Sequence, residues 1–161
     1  MTEALRDGNF DRSHARGPGR GGWSPGVIRS VGFEVPGGTP APGRARHRVL
    51  EALGEVLGAD ERTNLALMIS ELVTNSVTHA GMVKESNVIK VHVAVAPERA
   101  RIEVCDSGPG FEPGTPRVRS DGGGLGLVLL DRLSAAWGVA AEDEVCVWAE
   151  FDRHTGGRSH A

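Results

Sequence analysis

Two helical periodicities follow one another in this chain, and strand-like alternation lies on both sides of them. Apolar residues recur every three or four positions over residues 42–57 and again over residues 61–80, as on one face of an amphipathic helix. Apolar and polar residues alternate over residues 27–35, 89–95 and 101–105, which predicts strands. Because the helices are grouped, the order favours an α+β fold, with helices on one face of a mixed, mostly antiparallel sheet.

Glycine, proline and acidic residues predict where these elements begin and end. Gly58 and Gly81 are expected to end the two helices, and Asp60 is expected to cap the second. Residues 97–100 predict a hairpin turn between two strands. The remaining predicted elements are a third helix and two short strands, at residues 125–133, 137–139 and 145–151.

A length of 161 residues leaves room for one domain. Residues 1–26 are rich in Arg, Gly and Pro and have no periodicity, which predicts a flexible arm with too little apolar surface to fold. Residues 27–152 contain every predicted element and form the expected domain, and residues 153–161 are expected to be a frayed polar tail.

Charge and hydropathy exclude several function classes. A net charge of −3 gives no overall attraction to nucleic acid, and no apolar run approaches the roughly 20 residues of a membrane span. The first ten residues lack the apolar core of a secretion signal, so a cytoplasmic location is expected. Cys105 and Cys146 are accordingly expected to be buried thiols, with a disulfide as the alternative.

Three short segments contain polar residues suited to ligand binding. In ELVTNSVTHA, Glu71 and Asn75 are four residues apart on a helix and therefore share a face. In CDSGPGF, Asp106 ends a predicted strand, and Gly108 and Gly110 permit close approach of the backbone to a ligand. Taken singly, these segments also fit an exposed helix face and an ordinary Asp turn.

The third segment, DGGGLGLVLL, is rich in glycine and continues into a helix. Free N–H groups at the start of a helix favour phosphate. The segment has neither the Gly-Lys-Ser/Thr ending of a P-loop nor the strand context of a dinucleotide fold. A flexible turn before an apolar helix is the alternative interpretation.

The order of these segments, separated by about thirty and fifteen residues, resembles the N, G1 and G2 boxes of the GHKL ATPases. That superfamily includes gyrase, a heat-shock chaperone, histidine kinases and mismatch-repair ATPases. The small size is most like the anti-sigma-factor serine-protein kinases and related stand-alone ATP-binding regulators of actinobacteria. The resemblance covers about residues 27–152 and implies the GHKL fold, a two-layer α+β sandwich.

The resemblance also implies a role for each matching residue. Asp106 would accept a hydrogen bond from the adenine amino group of ATP, Asn75 would ligate Mg²⁺, and Glu71 would be the general base. The two glycine-rich segments would surround the adenine and the phosphates with backbone groups. Their residues are Gly108, Gly110, Gly122, Gly124, Leu125 and Gly126. Arg117 and Arg119, in the expected ATP lid, would contact the γ-phosphate; two solvated loop arginines are the alternative.

The sequence departs from the family pattern at three positions. Gly123 stands where Arg is frequent, and Ser76 stands where Ala is usual. Cys146 stands where a Thr often supports the adenine-binding Asp. These departures put nucleotide affinity and reaction rate in doubt.

The activity implied is that of an anti-sigma factor, a protein serine/threonine kinase acting on a STAS-type antagonist. The implied partners are a sigma factor, the STAS protein and a second copy of the chain, and direct binding to nucleic acid or membrane is not expected. One alternative is an ATP-dependent binding module without catalysis. Another is a detached histidine-kinase catalytic domain. The position of His47, in a short helix with no dimerisation partner in the sequence, argues against this alternative.

Overall fold

Five strands form one layer of the part of the chain described by this computed structural model, residues 26–78, 80–108, 125–141 and 143–153. They are β1 (Arg29–Pro36), β2 (Val88–Val95), β3 (Arg99–Asp106), β4 (Ala136–Ala141) and β5 (Val145–Asp152). The order in the sheet is β1-β2-β3-β5-β4, and all four neighbouring pairs are antiparallel. The predicted α+β class is therefore confirmed, with a sheet that is antiparallel throughout the described strands.

Helices form the second layer. They are α1 (Ala41–Leu53), α2 (Ala59–Thr78) and α3 (Leu125–Leu133), and a 3₁₀ turn, Gly54–Val56, follows α1. Their apolar sides pack against one side of the sheet, the inner face, in a core that includes Leu65, Ile69, Val73, Val91, Ile102, Val104 and Leu130. The opposite side, the outer face, carries the intervening residues of the central strands, His92, Arg101, Glu103, Cys105, Cys146, Trp148 and Glu150. Among the described helices, none combines the length and the apolar character needed to cross a bilayer.

The ends of the helices differ from two sequence predictions. α1 ends at Leu53 and continues as the 3₁₀ turn, so the predicted end at Gly58 is wrong; Gly54, a weak helix former, stands where the helix changes. α2 begins at Ala59, which places Asp60 in the first turn instead of at the cap. The Gly58 N–H donates to Oε2 of Glu61 at 2.9 Å, as in the second half of a capping box.

The expectation of two free thiols is also wrong. The register of β3 and β5 places Cys105 directly opposite Cys146, and the two sulfur atoms form a disulfide across the outer face. Local sequence gives no sign of this pairing, because the two residues are 41 positions apart and become neighbours only through strand register.

The sequence predicts that Arg153 belongs to the polar tail, but the structure places it in the folded domain. Its guanidinium is almost fully buried and forms an ion pair with Glu61 of α2, with 3.0 Å between Nε and Oε1. Nη2 and Nη1 donate to the carbonyl oxygens of Val56 and Ala96, each at 2.7 Å. This side chain fastens the end of β5 to the start of α2.

Candidate functional site

A buried carboxylate, Asp106, joins the end of β3 to the C-terminal half of α2. The Ser76 hydroxyl donates to its Oδ2 at 2.7 Å, and the Gly108 N–H donates to its Oδ1 at 2.9 Å. Each carboxylate oxygen has about two acceptor positions, so the one donor that the described residues provide to each oxygen leaves both able to accept another hydrogen bond. Asp106 is therefore fixed in orientation and keeps capacity for a ligand.

Ser76 is the residue whose importance the sequence prediction missed. In the sequence, Ser76 is a departure from the family pattern. In the structure it is 5% exposed, and its hydroxyl donates to Asp106. A hydroxyl on the buried side of a helix needs a hydrogen-bond partner, which is the signal that could have identified it. The partner itself is 30 residues away and follows only from the packing of α2 on the sheet.

Cys146 does not support Asp106, contrary to the expectation from the family resemblance. Val145 is the residue opposite Asp106 in β5, and Cys146 is one position further along. Its side chain therefore lies on the outer face, bonded to Cys105. The hydroxyl at position 76 provides the contact that a residue of β5 was expected to provide.

Gly108 is required where the chain leaves β3. A Cβ atom at this position would lie 2.5 Å from the Ala80 carbonyl oxygen and 2.6 Å from the Ala80 Cβ. Such a side chain could fit only if backbone moved. The absence of a Cβ thus lets the second segment approach the residues that follow α2, and it brings the first and second segments together.

Glu71 and Asn75 lie on α2 and are half-buried, four residues apart on the same side of the helix. Neither side chain has a hydrogen bond or ion pair with another described residue. Glu71 lies about 6 Å from Asn75 toward the N-terminus along the helix axis, from a rise of 1.5 Å per residue. A neutral amide oxygen and a carboxylate are thus available on one side of α2.

The third segment continues into α3, as predicted. α3 begins at Leu125, so Leu125 and Gly126 are in its first turn, where backbone N–H groups have no partner within the helix. α3 packs against α2, and its Leu130 is fully buried in the core. Five predicted site residues lie outside the described residues: Gly110, Arg117, Arg119, Gly122 and Gly124.

The donor set fits an adenine nucleotide with a magnesium ion. The spare acceptor positions of Asp106 suit an amino group of a base. The amide oxygen of Asn75 is the kind of ligand that Mg²⁺ takes when phosphates supply the charge. Glu71 and Asn75 thus share one side of α2, and Asp106 is bonded to Ser76 of the same helix, whereas the glycine-rich segment is represented by the start of α3.

Comparison with known proteins gives one family and two partial relatives. A family model described as histidine kinase-like ATPase domain matches residues 40–150. An anti-sigma F factor of Clostridium botulinum (strain Eklund 17B / Type B) is 40% identical over 53 residues. A second anti-sigma F factor, from strain Alaska E43 / Type E3, is 38% identical over 53 residues. Each alignment covers 33% of this chain and 37% of the relative, so the chain matches little more than a third of the relatives' length.

Proposed function

Because this chain belongs to the histidine kinase-like ATPase domain family, we propose that it is an ATP-binding anti-sigma factor that phosphorylates serine or threonine of a STAS-type antagonist. The observation that carries the proposal is the Asp106 carboxylate. It is held by Ser76 and Gly108 within the matched segment and retains acceptor positions on both oxygens.

Base recognition is assigned to Asp106. A carboxylate accepts hydrogen bonds and cannot donate when ionised, so it favours the amino group of adenine over the carbonyl that guanine has at the same place. The two protein donors hold the carboxylate in one orientation before the ligand arrives. Such preorganisation lowers the entropic cost of binding.

The phosphates and Mg²⁺ are assigned to the residues beyond Asp106. Asn75 would ligate the ion, and the start of α3 at Leu125 and Gly126, with Gly122 and Gly124, would supply backbone N–H groups to the phosphates, while Gly108 and Gly110 would shape the adenine end of the pocket. Mg²⁺ would offset phosphate charge and align the terminal phosphoryl group for transfer. Arg117 and Arg119 are proposed to contact the γ-phosphate.

Glu71 is proposed as the general base. Its carboxylate has no hydrogen bond or ion pair with another described side chain, so it is free to accept the proton of an incoming hydroxyl. Acting in that way requires hydrogen-bond distance to the hydroxyl, which a docked partner protein would provide. Because Glu71 is one turn before Asn75, we expect its carboxylate to lie near the proposed ion.

The proposed partners rest on the similarity of this chain to two anti-sigma F factors. We assign to this chain a sigma factor as the bound protein, a STAS-type antagonist as the phosphorylated one and a second copy of the chain as a dimer partner. The cytoplasmic location expected from the sequence is part of this proposal.

Transfer of labelled γ-phosphate to a STAS partner tests the catalytic step. We expect wild-type protein to transfer phosphate in Mg²⁺, and Glu71→Gln to retain ATP binding while transfer falls by about 100-fold, the usual contribution of a general base. Asn75→Ala should lose Mg²⁺-dependent binding. Wild-type protein that binds ATP and transfers nothing would favour the non-catalytic binding module.

A further inference from the structure

The disulfide of the outer face joins β3 and β5 next to the Asp106 carboxylate. It lies one residue from Asp106 in β3 and one residue from Val145, the residue opposite Asp106, in β5. Cys105 precedes Asp106 in β3, and Cys146 follows Val145, the residue opposite Asp106 in β5. The two pairs are consecutive rungs at the end of the β3–β5 ladder. Any change in the distance or angle between strands at the cysteine rung therefore reaches Asp106 through one peptide unit on each side.

We infer that Cys105 and Cys146 form a reversible disulfide whose redox state controls the affinity of the Asp106 site for its nucleotide. This inference rests on the proposed ATP binding. The oxidised pair corresponds to the tight-binding state, because with the disulfide formed both oxygens of Asp106 are held by Ser76 and Gly108.

The surroundings of the disulfide suit a reduced state as well as an oxidised one. Oε1 of Glu103 lies 3.6 Å from the Cys105 sulfur, so a Cys105 thiol would have an acceptor in place for its proton. Arg101 lies 3.7 Å from the same carboxylate and compensates its charge. A buried thiol at this position would therefore have its hydrogen-bonding requirement satisfied.

Reduction should disturb the Asp106 rung for a steric reason. Both cysteines are buried, at 1% and 7% exposure, and two unbonded thiols occupy more space than one disulfide. In a closely packed environment the extra volume moves neighbouring atoms. The 2.7 Å bond between Ser76 and Asp106 weakens with small displacements of the strand end.

The redox step is an exchange with an external dithiol. A thiolate of the reductant attacks one sulfur of the Cys105–Cys146 bond, which releases the other cysteine as a thiolate and forms a mixed disulfide. The second thiol of the reductant then attacks the reductant sulfur of this mixed disulfide and releases the first cysteine, which leaves two protein thiols and a cyclic disulfide. Two electrons and two protons pass to the protein. Oxidation by the cyclic disulfide of dithiothreitol reverses the exchange.

The test uses the full chain, whose two cysteines are those of this pair. Oxidised and dithiothreitol-reduced protein would be denatured and alkylated, and the number of alkylated cysteines would be determined by mass spectrometry. Mg²⁺-ATP binding would be measured calorimetrically in both states. We expect no alkylation of the oxidised form, two alkylated residues in the reduced form, and about fivefold weaker ATP binding after reduction. A Cys105→Ala/Cys146→Ala double variant should bind ATP equally with and without dithiothreitol.

Reciprocity supplies a readout that a purely structural disulfide would not show. If ATP prefers the oxidised form about fivefold, saturating ATP must make the reduction potential of the pair about 20 mV more negative, since tenfold corresponds to about 30 mV for two electrons. Equal affinity in both states, or thiols that stay alkylatable under oxidant, would overturn this inference alone. No ATP binding in either state would overturn it together with the proposed function.

Discussion

Carboxylates at the two ends of α2, half-buried Glu61 and buried Asp106, connect this helix to the ends of strands, yet the two connections use their hydrogen-bonding capacity differently. At the N-terminal end, Arg153 forms four hydrogen bonds, two to Glu61 and two to backbone carbonyls. At the C-terminal end, Asp106 accepts one bond on each oxygen, from Ser76 and Gly108. The first network is nearly saturated by the protein, and the second leaves acceptors for a ligand.

This difference separates a structural polar cluster from a binding one. A saturated cluster is costly to disrupt and has little capacity left to bind anything. A carboxylate that is fixed but incompletely used is stabilised further when a donor arrives. Variants at the N-terminal end should therefore change the free energy of unfolding, and variants at the C-terminal end should chiefly change ligand affinity.

The largest effect is expected for Arg153→Met. The substitution removes a cation that is 6% exposed from a carboxylate that is 17% exposed, and breaking a largely buried ion pair by removal of one charge costs about 3 kcal/mol. Urea unfolding followed by circular dichroism would measure the loss, and the folded fraction should bind ATP as wild type does. An unfolding free energy within about 0.5 kcal/mol of wild type would contradict the structural role of this cluster.

Gly108→Ala should affect both properties. The new Cβ would lie 2.5 Å from the Ala80 carbonyl oxygen, and overpacking of this kind costs about 1–3 kcal/mol. ATP affinity should fall as well, since the Gly108 N–H that holds Asp106 would be displaced.

Gly43→Ala is the matched control for this glycine. A Cβ there would lie no nearer than 3.8 Å to another atom, the Nη2 of Arg46. Alanine is the better helix former by about 1 kcal/mol, so stability should be equal or higher. Equal effects of the two substitutions would contradict the close approach at Gly108.

Ser76→Ala should be milder and should act mainly on binding. Loss of one hydrogen bond to a buried acceptor costs about 1 kcal/mol, which corresponds to roughly a fivefold fall in ATP affinity. Titration calorimetry measures it, with urea unfolding in parallel. An unchanged affinity would show that Ser76 does not orient Asp106 for the ligand.

The smallest effect is expected for Arg99→Ala, which removes an ion pair next to Arg153 in space but exposed to solvent. Arg99 and Asp152 are 60% and 64% exposed, with 3.7 Å between Nε and Oδ1. Surface pairs contribute about 0–1 kcal/mol. An unfolding free energy changed as much as in Arg153→Met would show that burial is not what distinguishes the two arginines.

Sequence was sufficient for those features that depend on local pattern. The alternation of valines in β2 and the helical spacing of Leu65, Ile69 and Val73 gave the correct elements. The hairpin between β2 and β3 also followed from residues 97–100, and Ala96 bonds to Arg99 there at 2.8 Å. In each case the partners are neighbours in the chain, so their physical chemistry can be worked out from a short window.

Features that depend on register or on distant packing were not predictable. Ser76 and Asp106 are 30 residues apart, Cys105 and Cys146 are 41 apart, and Arg153 and Glu61 are 92 apart. Each pair is set by how whole elements align, which no local window encodes. The residues of the candidate site can be predicted individually from the sequence. The contacts that hold Asp106 in place can be seen only in the structure.

Calorimetric titration of Mg²⁺-ATP into wild type and Asp106→Asn tests the central claim most directly. Asparagine keeps the size of the side chain but replaces an acceptor with a donor. We expect wild type to bind and the variant to bind at least tenfold more weakly, about 1.4 kcal/mol, while its unfolding transition stays cooperative. Equal affinity of the two proteins for ATP would contradict the assignment of Asp106 as the residue that recognises the base.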